Sequence, residues 1–286
     1  MFTSLSPGAI GIRGIALPRA IELAKLGGFE GLDFSISEAS QLADQRGIEY
    51  VKDLFSSAGV RPSGWGLTVD WRGEDARLDE GLLALPALAE TSRKLGCDRV
   101  FTWILPGSDE RPFAENFDWH ARRFRRIARV LADYGCRIGL EFIGPKTSRA
   151  ARQFAFIYTL EGMLELARSI GTGNVGILLD AWHLYTSGGT ADDVQKLRNA
   201  DVVVVHVNDA PAGISVAEQI DNVRALPLET GVIDLAGFLQ ALRAIDYDGP
   251  VTPEPFSKRV NAMPAEEAVQ AAGESMRRAW EAAGLA

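Results

Sequence analysis

The feature that most constrains this chain is a repeated unit: an amphipathic helical stretch, a Gly-containing break, then a short apolar run ending in a polar residue. Helical segment 17–27 ends at Gly27-Gly28 and leads into Phe29 to Phe34. Segment 38–58 ends at Gly59 before Val60 to Gly66, and segment 77–95 ends at Gly96 before Val100 to Ile104. Segment 118–134 ends at Gly135 and precedes Ile138 to Phe142. Segments 160–170 and 191–199 precede Val175 to Asp180 and Val202 to Val207, and segment 234–245 precedes Val251 to Glu254. A last helix over about 264–282 and an opening strand near Ala9 to Ile12 complete eight strands and eight helices. Glycine after a helix supplies the left-handed residue that ends it. Runs such as Ile177 to Leu179 and Val202 to Val205 are apolar on consecutive residues, which burial on both faces of a parallel sheet requires. Eight alternating units close into a (β/α)8 TIM barrel more readily than they open into a doubly wound sheet.

No linker, low-complexity tract or composition shift divides the chain, so residues 1–286 read as one barrel domain. The longest irregular stretches, about 143–157 and 208–231, both follow strands, the side on which such barrels carry active-site loops. A composition of 47% hydrophobic and 24% charged residues is that of a globular protein. The net charge of -8 argues against a nucleic-acid partner. The run Arg122-Arg123-Phe124-Arg125-Arg126 reads as a solvated helix, and His120 as a surface or capping residue. Cys97 and Cys136, each before an apolar run, read as small buried residues, which fits a reducing compartment. With neither a leader pattern nor a run of about 18 apolar residues, the expected location is the cytoplasm, away from the membrane.

The chemistry lies in the polar residues that end the last four strands: Glu141, Asp180, His206 and Glu254. Barrel closure brings these strand ends around one mouth. Carboxylates gathered there would repel one another without a cation. Two Glu, one Asp and one His form a mixed oxygen and nitrogen set suited to one divalent ion, Mn2+, Mg2+, Co2+ or Zn2+. Singly, each residue would be an ordinary capping, solvated or core side chain; four on consecutive strands are not.

On these residues the chain resembles the xylose isomerase-like barrels, a family that includes sugar epimerases, hydroxypyruvate isomerase, inosose dehydratase and endonuclease IV. The matching pieces are Leu140-Glu141-Phe142, Asp180-Ala181-Trp182-His183, His206-Val207-Asn208-Asp209 and Pro253-Glu254-Pro255-Phe256. Arg224-Ala225-Leu226-Pro227, Gly231-Val232-Ile233-Asp234 and Tyr247-Asp248-Gly249-Pro250-Val251 are also similar to it. The resemblance to ketose 3-epimerases implies that Glu141, Asp180, His206 and Glu254 bind the metal, with Mn2+ the first expectation. It implies that Glu141 and Glu254 also move the proton and that His183 contacts substrate oxygen. Such a site fits a small polyhydroxylated carbonyl substrate: a sugar, a sugar phosphate or a keto-cyclitol. The ion stabilises charge beside the carbonyl, and one carboxylate acts as base while the other acts as acid.

The epimerases carry a further Glu and Arg where this chain has Thr147 and Ala212, so its substrate contacts differ. Arg224 and Lys146 are the candidates to supply them, with Asp209 either orienting His206, reaching substrate or capping its loop. Trp65, Trp103 and Trp182 fall at or near strand ends, and Trp103 is the candidate for an apolar wall against a sugar face. Isomerase or epimerase is the leading expectation. Alternatives are a dehydratase of a keto-inositol or dehydroshikimate-type substrate and a non-catalytic sugar-binding barrel or subunit. A three-zinc endonuclease would need more than the 3 histidines present. Oligomeric state stays open.

Overall fold

The computed structural model describes residues 1–285. Eight parallel strands close into a barrel: β1 (Phe2–Leu5), β2 (Gly31–Asp33), β3 (Arg61–Gly66), β4 (Arg99–Ile104), β5 (Arg137–Phe142), β6 (Val175–Asp180), β7 (Val202–Val207) and β8 (Pro250–Pro253). Around them lie α1 (Leu17–Leu26), α2 (Ile36–Arg46), α3 (Ile48–Ala58), α4 (Asp75–Lys94), α5 (Phe113–Asp133), α6 (Leu160–Ile170), α7 (Ala181–Thr186), α8 (Leu235–Ala244) and α9 (Ala265–Ala282). No helix among the described residues is long and apolar enough to cross a membrane. β7 is buried along its whole length, as its unbroken valine run requires.

Three readings are corrected. The opening strand is Phe2–Leu5, not Ala9 to Ile12; Pro7–Ile10 form a 3-10 turn that ends at Gly11, φ 84°. Phe2-Thr3-Ser4-Leu5 is short and half polar, so hydrophobicity concealed it, but it gains ladder partners on both sides, β8 and β2. The helix expected over 38–58 is two helices broken at Gly47, whose φ of 87° and ψ of 152° a side chain would resist. The helix expected over 191–199 shrinks to Ala191–Val194, closed by a capping box from Thr190 and Asp193.

His120 is not at the surface: it is buried against Trp71, Trp119, Phe124 and Phe156. Its Nδ1–H donates to the Asn116 carbonyl at 2.7 Å, and burial keeps the ring neutral against that bond. The arginine run is likewise mixed. Arg123 is buried and reaches Trp71 O at 3.1 Å, while Arg125 ties down the Ser169 and Ile170 carbonyls at the end of α6. Cys97 and Cys136 are both buried free thiols.

Burial lowers the His120 pKa from 6.5 to about 4. Between those values the unfolded chain binds the proton and the folded one does not, so stability falls as pH falls through this window. The contribution is fully present above 6.5. Wild type is expected to lose about 2 kcal/mol more than His120→Phe between pH 7 and pH 5. Urea unfolding at the two pH values reads the difference; parallel losses would refute it.

Candidate metal centre

The register of the barrel assembles the site. Asp180 lies directly opposite His206 on the β6–β7 ladder, and His206 opposite Thr252 on β7–β8. Trp103 lies opposite Glu141 on β4–β5. Glu254 follows β8, with its N–H on the Val207 carbonyl at 2.9 Å. Ligand atoms from Glu141, Asp180, His206 and Glu254 all lie within 4.8 Å of one another. Among the described residues this is the place where three or more such side chains converge.

Each side chain is held by the fold. Asp180 also caps α7: its Oδ1 accepts from Trp182 N at 2.6 Å and His183 N at 3.0 Å. Its Oδ2 accepts from Asn208 Nδ2 at 3.2 Å and Arg224 Nη1 at 2.9 Å. His206 Nδ1 lies 3.3 Å from Glu254 Oε1 and 3.9 Å from Glu141 Oε1. Glu141 Oε1 and both His206 nitrogens are buried without a hydrogen-bond partner. Buried polar atoms rarely go unpaired, and Glu141 Oε1 and His206 Nδ1, 3.9 Å apart, are the kind of donors that a divalent cation takes up. The donor set therefore fits a divalent ion, and the cluster is able to hold one.

Arg224 lies against the same carboxylates. Its Nη1 donates to Asp180 Oδ2 and Glu254 Oε2, both at 2.9 Å, and its Nη2 to Asp221 Oδ1 at 2.8 Å. Its guanidinium stacks 4.7 Å from the Trp182 ring and 5.1 Å from that of Phe256. Burial and the neighbouring Glu254 charge raise the Glu141 pKa well above the ordinary carboxylate range. Burial opposes ionisation of Glu254 too, but His206 and Arg224 overcome it and hold that carboxyl below its usual value. Burial alone would lower the His206 pKa, yet Glu254 and Glu141 lift it to about 10. With no ion, the site thus sets its two glutamates apart.

His183 is buried and neutral, its pKa lowered by burial and by Arg224 to about 3. The Gly144 N–H donates to His183 Nδ1 at 3.2 Å, which leaves the proton on Nε2, 3.8 Å from Glu141 Oε1. Arg224 Nη2 stands 3.0 Å from that same nitrogen, two donors face to face. Gly144 permits the close approach: a Cβ there would meet the His183 carbonyl oxygen at 2.2 Å.

The cluster opens into a cavity of ≈ 340 Å³ lined by Trp103, Glu141, His183, Arg224, Glu254 and Phe256, among others. A larger concavity, ≈ 460 Å³ between Gly27–Glu30 and α9, lies at the far end of the barrel, away from the ligands. Trp103 is 44% exposed at the mouth, whereas Trp65 and Trp182 are fully buried. Lys146 is exposed and does not line the cavity, so the structure gives it no place at the site. Asp209 departs from a substrate or His206-orienting role. Its Oδ1 accepts from Ala210 N and Ile233 N and its Oδ2 from Thr230 N and Gly231 N, at 2.7–3.0 Å. This brace ties the loop after β7 to the start of the α8 segment. Asp209→Ala strands four amides and is expected to cost about 3 kcal/mol. Hydrogen exchange at Thr230, Gly231 and Ile233 should speed up in step, and unchanged protection would sink this role.

Asn208 and Phe256 were not legible as site residues. Asn208 Nδ2 bridges Asp180 to the Glu254 carbonyl, the latter at 3.3 Å. Phe256 adopts a φ of 40°, unusual for a side-chain-bearing residue, to present its ring beside Arg224. Its position two residues beyond Glu254 was the available signal.

Four side chains able to hold a divalent ion converge from consecutive strands around one rim of a (β/α)8 barrel. The chain belongs to the xylose isomerase-like TIM barrel family, a sequence model of which matches residues 9–279. It is 22% identical over 262 residues to inosose isomerase of Halalkalibacterium halodurans, covering 90% of this chain and 88% of that one. It is 27% identical over 250 residues to 3-dehydroshikimate dehydratase of Pseudomonas aeruginosa, covering 87% of this chain but 37% of that larger enzyme. Among solved structures, a xylose isomerase domain protein of Alicyclobacillus acidocaldarius superposes with a TM-score of 0.89 at 28% identity, over 99% of each chain. The IolI protein with a bound zinc atom superposes with a TM-score of 0.79 at 20% identity, over 99% and 98%, and shares the fold.

Proposed function

We propose that the protein is a divalent-metal-dependent isomerase or epimerase of a small polyhydroxylated ketone, with keto-cyclitols the first class to test. The observation that carries this reading is the convergence of orphaned Glu141 and His206 atoms with Asp180 and Glu254 beside a cavity that Glu141 and Glu254 line. The inosose isomerase of Halalkalibacterium halodurans, matched over 90% of this chain and 88% of its own, supports the choice of keto-cyclitol. A bound divalent ion supplies Lewis-acid polarisation of the carbonyl, which acidifies the neighbouring C–H.

The protein's own residues move the proton. Glu254, beside the Arg224 guanidinium, is the base, and Glu141 returns a proton from across the site. His183 Nε2–H and the Arg224 guanidinium donate to substrate oxygens, and Trp103 and Phe256 wall off water from the C–H face. Facing carboxylates would invert one carbon; transfer by one group between adjacent carbons would exchange aldose for ketose.

The relationship to 3-dehydroshikimate dehydratase favours one second reading, in which the same deprotonation is followed by loss of a β-hydroxyl. Incubation of Mn2+-loaded protein with keto-cyclitols, ketoses and sugar phosphates in D2O separates the two. Deuterium at one carbon of an intact skeleton supports the isomerase; formation of an enone or dione supports the lyase. Ion-loaded protein that exchanges no carbon-bound proton in any of these compounds would refute both.

A further inference from the structure

Below the ligands, inside the barrel, lies a second carboxylate that the proposed reaction does not use. Asp33 ends β2, is 8% exposed, and has an Oδ1 that is buried with no partner. Its other oxygen accepts only from Thr252 Oγ1, at 3.3 Å. Thr252 is the residue directly opposite His206 on the β7–β8 ladder. The β2–β3 register slips between Leu32 and Asp33, so that Asp33 stands opposite Gly64 and Ser63 is skipped. Such bulges re-aim side chains beside active sites. A buried carboxylate with a single long hydrogen bond is costly, and its retention calls for a further partner.

His206 has the complementary deficit. Its Nδ1 faces Glu254 and Glu141, which leaves Nε2 turned away from the ligand cluster, buried and unpaired, in a ring set edge-on to Phe101 at 5.9 Å. A histidine that ligates through one nitrogen carries its proton on the other, and that proton needs an acceptor. An orphan donor and an orphan acceptor therefore flank the same threonine.

We infer that Asp33 is a positioning residue for the metal centre: through a hydrogen-bonded bridge past Thr252 it accepts the His206 Nε2–H and so fixes the tautomer that turns Nδ1 towards the ion. The inference rests on the reading of His206 as a metal ligand. The two groups do not touch directly, so the bridge is a water molecule or a small turn of the imidazole.

The test uses the full-length protein and two variants. Asp33→Asn keeps an acceptor oxygen, whereas Asp33→Leu removes it and fills the space. Mn2+ affinity by calorimetry is expected to fall about 10- to 100-fold in Asp33→Leu and by less than about 10-fold in Asp33→Asn. Ring-nitrogen NMR of the three histidines in Zn2+-loaded protein should show a slowly exchanging His206 Nε2–H in wild type. That signal should be lost or fast-exchanging in Asp33→Leu and kept in Asp33→Asn. An unchanged Nε2–H signal in Asp33→Leu, or Zn2+ bound through Nε2, overturns the inference. Should wild type bind neither ion, the ligand reading itself fails. The ion-free spectrum then still decides the bridge, since only a paired Nε2–H exchanges slowly and loses that protection in Asp33→Leu.

Discussion

Glu254→Gln is expected to slow carbon-bound proton exchange about 1000-fold or more, the range for loss of a positioned general base. The amide is nearly isosteric and keeps a carbonyl oxygen for the ion, so the ion should still bind, more weakly. The substitution removes the carboxylate that lies 3.3 Å from His206 Nδ1 and 2.9 Å from Arg224 Nη1. Deuterium incorporation under saturating Mn2+ separates lost chemistry from lost binding. A Glu254→Gln enzyme that exchanges at the wild-type rate would remove Glu254 from proton transfer.

Arg224→Met should separate the ion-free and ion-loaded states. In the ion-free protein Arg224 is almost fully buried and bonds Asp180, Glu254 and Asp221. Burial penalises its charge, but those carboxylates more than repay it and hold its pKa above the ordinary value. Removing one partner of such a network leaves uncompensated buried charge, at a cost of about 3–5 kcal/mol. A divalent ion held by Asp180 and Glu254 would supply positive charge to the same two carboxylates. Mn2+ should therefore recover most of the loss, although the Asp221 bond stays broken. Melting curves with and without Mn2+ are the measurement: a drop of about 10 °C without the ion, and a small one with it. Equal destabilisation in both states would show that Arg224 and the ion do not share the carboxylates.

The two substitutions probe different halves of one arrangement. Arg224 Nη2 lies 3.0 Å from the protonated Nε2 of His183, a donor against a donor. The carboxylates hold it there. Once a cation takes their charge, the guanidinium has less reason to stay and is free to turn its remaining donors to substrate. This is why Arg224→Met should be read in stability with and without the ion, and Glu254→Gln in turnover with the ion at saturation.

Much of the barrel was legible because strand and helix periodicities are local. Strands buried on both faces, such as Val202–Val207, announce themselves, and so do the glycines that end helices. The misreadings have local causes as well. Phe2–Leu5 is a strand only because β8 and β2 lie on either side of it, and pairing partners remote in sequence leave no mark on four residues. His120 looked like a cap because Asp118 and a helix start surround it. Its burial depends on Trp71 and Phe156, 49 and 36 residues away in the chain.

The convergence of Glu141, Asp180, His206 and Glu254 was determined by the sequence alone. A polar residue closing each of four successive apolar strands must meet its counterparts once the barrel closes, whatever the loops do. Which other side chains join them was decided by the tertiary structure. Asp209 sits on the right loop yet braces it from within, and Lys146 does not line the cavity, while Asn208 and Phe256 reach the cluster through contacts that their neighbours in sequence do not reveal. The reason is physical: strand position along the barrel axis follows from one-dimensional order, but a side chain's direction, and the orphaned atom it can satisfy, depend on register, bulges and neighbours that come from distant parts of the chain.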